Sequence, residues 1–229
     1  VTRTRETVVA NVGAVRERVA RACERAGREP DEVTIVAIGK TVPAEAVAWV
    51  VDAGIADVGE NYVQELRAKH EAVPGARWHF VGTLQASSAH HLARLADVVQ
   101  TVVPGRGADR LAHRSSELGR TLPVLVEIDF TGERAGVPPG EAVAACDEVA
   151  ALGGLALRGL MTVAPLAQDR EAARPWFRRL RDLRDRVRER HPEAAELSMG
   201  MSLDYEVAVG EGATMVRVGT ALYGARSTA

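Results

Sequence analysis

Lysine is almost missing from this chain. Of its 29 Lys+Arg residues only Lys40 and Lys69 are lysine; every other one is arginine. Aromatic residues make up 4% of the 229 positions, too few to build the stacking platforms that single-stranded nucleic acids need. A formal net charge of -2 argues against a dedicated nucleic-acid or anionic-membrane surface. No apolar run approaches the ~18 residues of a membrane span. The opening Val1-Thr-Arg-Thr-Arg-Glu6 lacks the apolar segment of a signal peptide. The two cysteines, Cys23 and Cys146, lie far apart in stretches that both read as helix. They are expected as small buried thiols of a reducing compartment rather than as a disulfide. No set of His, Cys or carboxylates has metal-ligand spacing, and no Gly-x-Ser-x-Gly elbow is found. These absences leave a cytoplasmic protein with no nucleic acid, membrane or metal as partner.

What is present is ordinary globular material: 46% hydrophobic and 26% charged residues. A helix is expected over 4–27, where Val8, Val12, Val15, Val19, Cys23 and Ala26 form one apolar face. After it, short β-branched runs alternate with amphipathic stretches. Strands are expected at 33–40, 57–60, 78–82, 98–103, 123–129, 155–163, 196–200 and 215–219, with a helix between each pair. Such alternation implies a parallel sheet. Eight repeats in this length imply an α/β fold with a single (β/α)8 TIM barrel and an extra N-terminal helix, one domain over residues 1–229. An open doubly wound sheet is the rival, but no Gly-x-Gly-x-x-Gly follows the first strand.

In such a barrel the chemistry gathers at the C-terminal strand ends. Lys40 closes the first of them, where a charge is costly unless something answers it. Either it snorkels to water, or its amine is needed, for example to hold an aldehyde as a Schiff base, which a permanently protonated guanidinium cannot do. Lys69 sits in a polar helical stretch and is expected as solvated surface. The seventh and eighth strand ends, Ser198-Met-Gly-Met-Ser202 and Arg217-Val-Gly-Thr220, offer hydroxyls, small residues and backbone amides. Loops there are the usual phosphate cradle of this fold. The alternative is a tight strand-to-helix turn capped by Ser202 or Asp204. Alternation points Arg217 inward with Met215, where it must meet either a carboxylate such as Glu127 or a ligand's aromatic nitrogen or phosphate. His79 is expected to satisfy a core hydrogen bond, and His90 and His91 to lie on a helix surface.

An amine for an imine, a phosphate cradle and an inward arginine together describe a pyridoxal 5'-phosphate site. The chain also resembles the pyridoxal phosphate homeostasis protein family, which is similar to the N-terminal barrel of alanine racemase. The resemblance rests on Val36-Ala-Ile-Gly-Lys-Thr41, Gly59-Glu-Asn-Tyr-Val-Gln-Glu65, Trp78-His-Phe-Val-Gly-Thr-Leu-Gln85, Arg158-Gly-Leu-Met161, Leu197-Ser-Met-Gly-Met-Ser202 and Met215-Val-Arg-Val-Gly-Thr220. It implies that Lys40 carries the cofactor, and that Ser198, Ser202, Gly219 and Thr220, with amides near Gly200 and Met201, hold its phosphate. It further implies that Arg217 faces the pyridine nitrogen and that Asn61 lies near the ring. The function implied is intracellular vitamin B6 homeostasis by a monomer, with transient contact to PLP-dependent client enzymes and no strong catalysis of its own. A weak amino-acid racemase is the alternative; against it, the chain stops at Ala229 without the second domain that gives alanine racemase its tyrosine base. The family often carries a lysine where this chain has Ser88, and another where it has Arg134, so any secondary lysine site there is in doubt.

Overall fold

A computed structural model describes residues 3–165 and 168–225. Val1 and Thr2 of the segment read for a leader, and Ala229 at the chain's end, lie outside those residues. Eight parallel strands close into a barrel in sequence order. They are β1 (Thr34–Ile38), β2 (Asp57–Glu60), β3 (Arg77–Phe80), β4 (Val98–Val102), β5 (Leu122–Ile128), β6 (Leu155–Thr162), β7 (Glu196–Ser198) and β8 (Met215–Val218). Closure comes from β1 pairing with β8, where Val36 lies opposite Arg217.

The first helix, α1 (Arg5–Arg25), begins at Thr4, whose hydroxyl accepts the amide of Thr7 at 3.3 Å. Val8, Val12, Val15, Val19 and Cys23 bury on one face as their spacing requires, whereas Ala26, expected on that face, is the exposed C-cap. Behind it Gly27 takes a positive φ of 63° and turns the chain back toward the barrel. The helix packs on the barrel's side, against α2 (Ala44–Asp52), α8 (Tyr205–Gly210) and α9 (Thr220–Tyr223). The remaining helices are α3 (Val63–His70), α4 (Ala89–Leu95), α5 (Arg106–Glu117), α6 (Ala142–Ala150) and α7 (Arg174–Arg188). Two details go beyond the expected helix between each pair of strands. The segment after β3 first makes a turn, with the Ser88 hydroxyl on the Gln85 carbonyl, and α4 starts after it. The single turn of α9 was not expected, because four residues carry no periodicity.

Two cores result. The larger lies between sheet and helices and includes Trp78, Phe80, Phe177 and Leu180. The smaller joins Val36, Leu125, Met161 and Met215, from four different strands, across the barrel lumen. Ile38 and Val163 pack against it, and polar groups share the lumen: His79, Gln100, Glu127, Ser198 and Arg217 are all buried.

Close backbone approach sets the mouth. A Cβ on Gly82 would lie 1.9 Å from the Asn61 carbonyl oxygen, so only glycine lets the segment after β3 pass the end of β2. Gly82→Ala should cost about 3 kcal/mol or more of unfolding free energy in urea. Gly140→Ala, which meets nothing within 4 Å, should stay within about 0.5 kcal/mol of wild type. Equal stability of the two variants would contradict this packing.

Candidate functional site

A cavity of ≈ 300 Å³ opens at the C-terminal strand ends, within the range of small-molecule sites. Ile38, Lys40 and Val42 line it from the end of β1, Met201, Ser202 and Leu203 from the end of β7, and Arg217, Gly219, Thr220 and Tyr223 from β8 and its turn. Six of the nine residues expected at a site thus meet in one place: Lys40, Met201, Ser202, Arg217, Gly219 and Thr220. Arg3, ahead of α1, reaches the same cavity and donates to the Tyr223 carbonyl at 2.8 Å. Nothing in the sequence signalled Arg3 or Tyr223, because both arrive through the packing of α1 and α9.

Lys40 stands on a braced turn. Thr41, directly after it, is the one non-glycine residue with positive φ (62°) among the described residues, an unfavourable backbone for a β-branched side chain. Its amide donates to Glu65 at 2.8 Å. The Gly39 carbonyl, directly before Lys40, accepts from Lys69 Nζ at 2.8 Å. Lys69 also donates to Glu60 and to Glu65, each at 2.7 Å. The expectation of a solvated Lys69 is therefore wrong: its side chain is only 7% exposed. It lies on the inner face of α3, and its ammonium links α3, the end of β2 and the Lys40 turn. A Cβ on Gly39 would sit 2.8 Å from Glu60 Oε1, so glycine before Lys40 makes room for that carboxylate. Burial pushes Glu60 up to about 7, against the pull of Lys69.

Arg217 is 4% exposed. It donates to the Ser198 hydroxyl and to the Thr162 carbonyl, both at 2.7 Å. Its partners are therefore neutral oxygens; Glu127 contributes charge nearby and is itself paired with Arg134 at 3.4 Å. Burial pulls the guanidinium down to about 10, opposed by Glu127 and Asp204, so it stays charged at neutral pH. Ser202 accepts the amides of Gly219 and Ala221, each at 3.2 Å, and so ties the end of β7 to the turn after β8. The Met201 amide donates to Asp204 at 2.6 Å. Gly200 has φ 90°, and a Cβ there would lie 2.5 Å from that of Ala208, so it packs α8 under the cavity rather than lining it. Ser198 lies below the cavity, fully buried on Arg217 and Gln100. Asn61 lines a neighbouring cleft between α3 and α4 with Tyr62 and His91. His79 is buried and bonded on both ring nitrogens, to Asp57 and Gln100 at 2.8 Å each, as a core histidine.

A primary amine, a buried guanidinium and two hydroxyls around ≈ 300 Å³ suit a small carbonyl compound that carries an anionic group. The residues present therefore fit pyridoxal 5'-phosphate: Lys40 offers the nucleophile, and Arg217, Ser202 and Thr220 offer donors. The fold is that of the alanine racemase N-terminal domain, whose family matches residues 10–227. Alanine racemase of Clostridium difficile shares the fold at a TM-score of 0.74 and 18% identity, over 96% of this chain and 58% of that one. Within that class the chain belongs to the pyridoxal phosphate homeostasis protein family. It is 38% identical to the pyridoxal phosphate homeostasis protein of Aquifex aeolicus over 217 residues, 93% of this chain and 95% of the relative. The protein of that name from Escherichia coli K12 is 39% identical over 226 residues, 94% and 95% of the two chains. PipY of Synechococcus elongatus, solved with PLP bound, superposes at a TM-score of 0.80 and 33% identity over 92% of this chain and 100% of that one.

Glu60 makes a pH prediction. Its folded-state value, raised from 4.5 to about 7, means that the native state binds more protons than the unfolded chain in that window. Its stabilising contribution is complete below 4.5 and is lost as pH rises toward 7. The wild type minus Glu60→Gln difference in unfolding free energy should therefore shrink from pH 4.5 to 7.5, by at most about 3 kcal/mol. A difference that grows over this range would reverse the assignment.

Proposed function

We propose that this protein binds pyridoxal 5'-phosphate through the Lys40 amine and takes part in intracellular homeostasis of that cofactor, without strong catalysis of its own. The observation that carries this reading is the shared cavity: Lys40, from the first strand end, and Arg217, Ser202 and Thr220, from the last two, line one space of ≈ 300 Å³. When bound, the cofactor supplies an aldehyde for the amine and a ring that can withdraw electrons. The chain's own residues do the rest. The Gly39–Thr41 turn fixes where the Lys40 nitrogen stands. Ser202 and Thr220 orient the anionic end. Arg217 presents a fixed positive charge to the ring nitrogen and keeps that nitrogen from taking a proton, which limits the ring as an electron sink.

Weak racemase chemistry is the second reading, and Tyr223 is the group that bears on it. Tyr223 lines the cavity, and its buried hydroxyl has no hydrogen-bond partner among the described residues. Burial, with the nearby Glu60 charge, pushes this phenol above its ordinary value. It therefore keeps its proton at neutral pH and is a poor base, which supports holding over turnover. Among the described residues no helix is long and apolar enough to cross a membrane. Two buried free thiols, Cys23 and Cys146, the latter pushed up to about 12 by burial, fit a reducing cytoplasm. The same reading takes the chain as a single-domain monomer that meets its PLP-dependent clients transiently.

Titration with pyridoxal 5'-phosphate should give a near-visible absorbance band that borohydride bleaches, and Lys40→Arg should fold but stay colourless. An unchanged band in that variant would place the nucleophile elsewhere and end this reading. Arg217→Gln should weaken retention on the order of tenfold, the scale of one charged hydrogen bond. Deuterium exchange at the α-carbon of an amino-acid panel at enzyme-like rates would favour the racemase reading instead.

A further inference from the structure

Four polar groups of the lumen, Arg217, Ser198, Gln100 and His79, form one unbroken path that ends on Asp57. Arg217 Nη1 donates to Ser198 Oγ at 2.7 Å. Ser198 Oγ donates to Gln100 Oε1 at 2.6 Å. Gln100 Nε2 lies 2.8 Å from His79 Nδ1, and His79 Nε2 lies 2.8 Å from Asp57 Oδ1. The path crosses the barrel. Arg217 lines the mouth cavity, whereas Asp57 opens β2 and so lies at the opposite rim, beside Arg77 at 3.3 Å.

Chemistry fixes the direction of every link. A guanidinium only donates, so Ser198 must accept from Arg217 and spend its own proton on Gln100. The amide oxygen of Gln100 is thereby the atom facing Ser198, and its nitrogen faces His79. Turning the amide over would aim two donors at Ser198 and leave that hydroxyl's proton without an acceptor. It would also remove the 3.7 Å contact of the amide nitrogen to Met215 Sδ. With an amide N–H pointing at it, His79 Nδ1 must be bare, and its proton sits on Nε2 toward the Asp57 carboxylate. Burial alone would raise Asp57, but the His79 bond and the charges beside it outweigh this and hold the carboxyl below its ordinary value.

We infer that Asp57 is a positioning residue for the cofactor-facing arginine: a one-way chain of hydrogen bonds through Gln100 and Ser198 links its charge to the Arg217 guanidinium across the barrel. Aligned hydrogen bonds polarise one another in a low-dielectric interior, so the guanidinium is held and partly answered from the far rim. Glu127 and Asp204 act on Arg217 from the mouth side, and neither lies on the chain. The inference rests on the cofactor reading proposed above for its functional consequence, but not for the chain itself.

Two measurements test it. In cofactor-free protein at neutral pH, nitrogen-15 NMR of the His79 ring should show a proton on Nε2 and none on Nδ1. A proton on Nδ1, alone or with a second on Nε2, overturns the chain. Binding of pyridoxal 5'-phosphate is then titrated in Asp57→Asn, which keeps an acceptor for His79 but loses the charge, in Gln100→Met, and in the double variant. Each single change should weaken binding about five-fold, and the double should be no worse than the weaker single. Unchanged binding in Asp57→Asn, or losses that multiply in the double variant, overturn the inference. Should Gln100→Met fail to fold, Asp57→Asn, at a site partly open to solvent, and the NMR experiment decide it. Colour that survives in Lys40→Ala would end the cofactor reading while leaving the NMR result to stand alone.

Discussion

A guanidinium that stays charged at neutral pH, enclosed in a barrel, is the constraint around which the molecule is arranged. Arg217 faces inward from the last strand, 4% exposed, where an unanswered charge would cost several kcal/mol. The lumen is built to meet that need. Ser198 and Thr162 take its hydrogen bonds, and Gln100 and His79 continue them toward Asp57. Barrel interiors of this class are usually layered with branched aliphatic side chains. Here the buried apolar cluster of the lumen is Val36, Leu125, Met161 and Met215, with Ile38 and Val163 packed against it, and the larger core lies outside the sheet. What the polar lumen provides is a fixed positive charge beneath a cavity, independent of pH over the physiological range.

The second constraint is the turn that carries Lys40. Its two flanking residues are held by one ammonium, that of Lys69, acting on the Gly39 carbonyl directly and on the Thr41 amide through Glu65. The geometry explains why an arginine-using chain keeps lysine here. A compact ammonium has three donors that fan out, and Lys69 spends them on a carbonyl and two carboxylates. A planar guanidinium presents its donors in one fork and could not reach all three. The two lysines thus meet at a single strand end for separate reasons: Lys69 for its shape, and Lys40, in the function proposed above, for its amine.

These two constraints account for the division between what could be read from the chain and what could not. The alternation of β-branched runs and amphipathic stretches made the barrel legible, because period and length are local properties. The inward direction of Arg217 followed from alternation in β8, and the meeting of Lys40 with the β7 and β8 ends followed from closure of the ring. Burial of Lys69 did not follow. Its neighbours in α3 are polar, and the acceptor that buries it, the Gly39 carbonyl, is 30 residues away in sequence. Tyr223 and Arg3 escaped for the same reason: α9 is too short to show a period, and Arg3 acquires its position only when α1 docks beside it.

The sequence by itself determined the architecture and placed Lys40 at the same mouth as the β7 and β8 ends, since residue type and spacing act over a few positions. Tertiary structure alone decided which groups answer the buried charges. Partners such as Gln100 for Ser198 and Asp57 for His79 come from different strands, and a hydrogen bond forms between atoms about 3 Å apart whatever their separation along the chain.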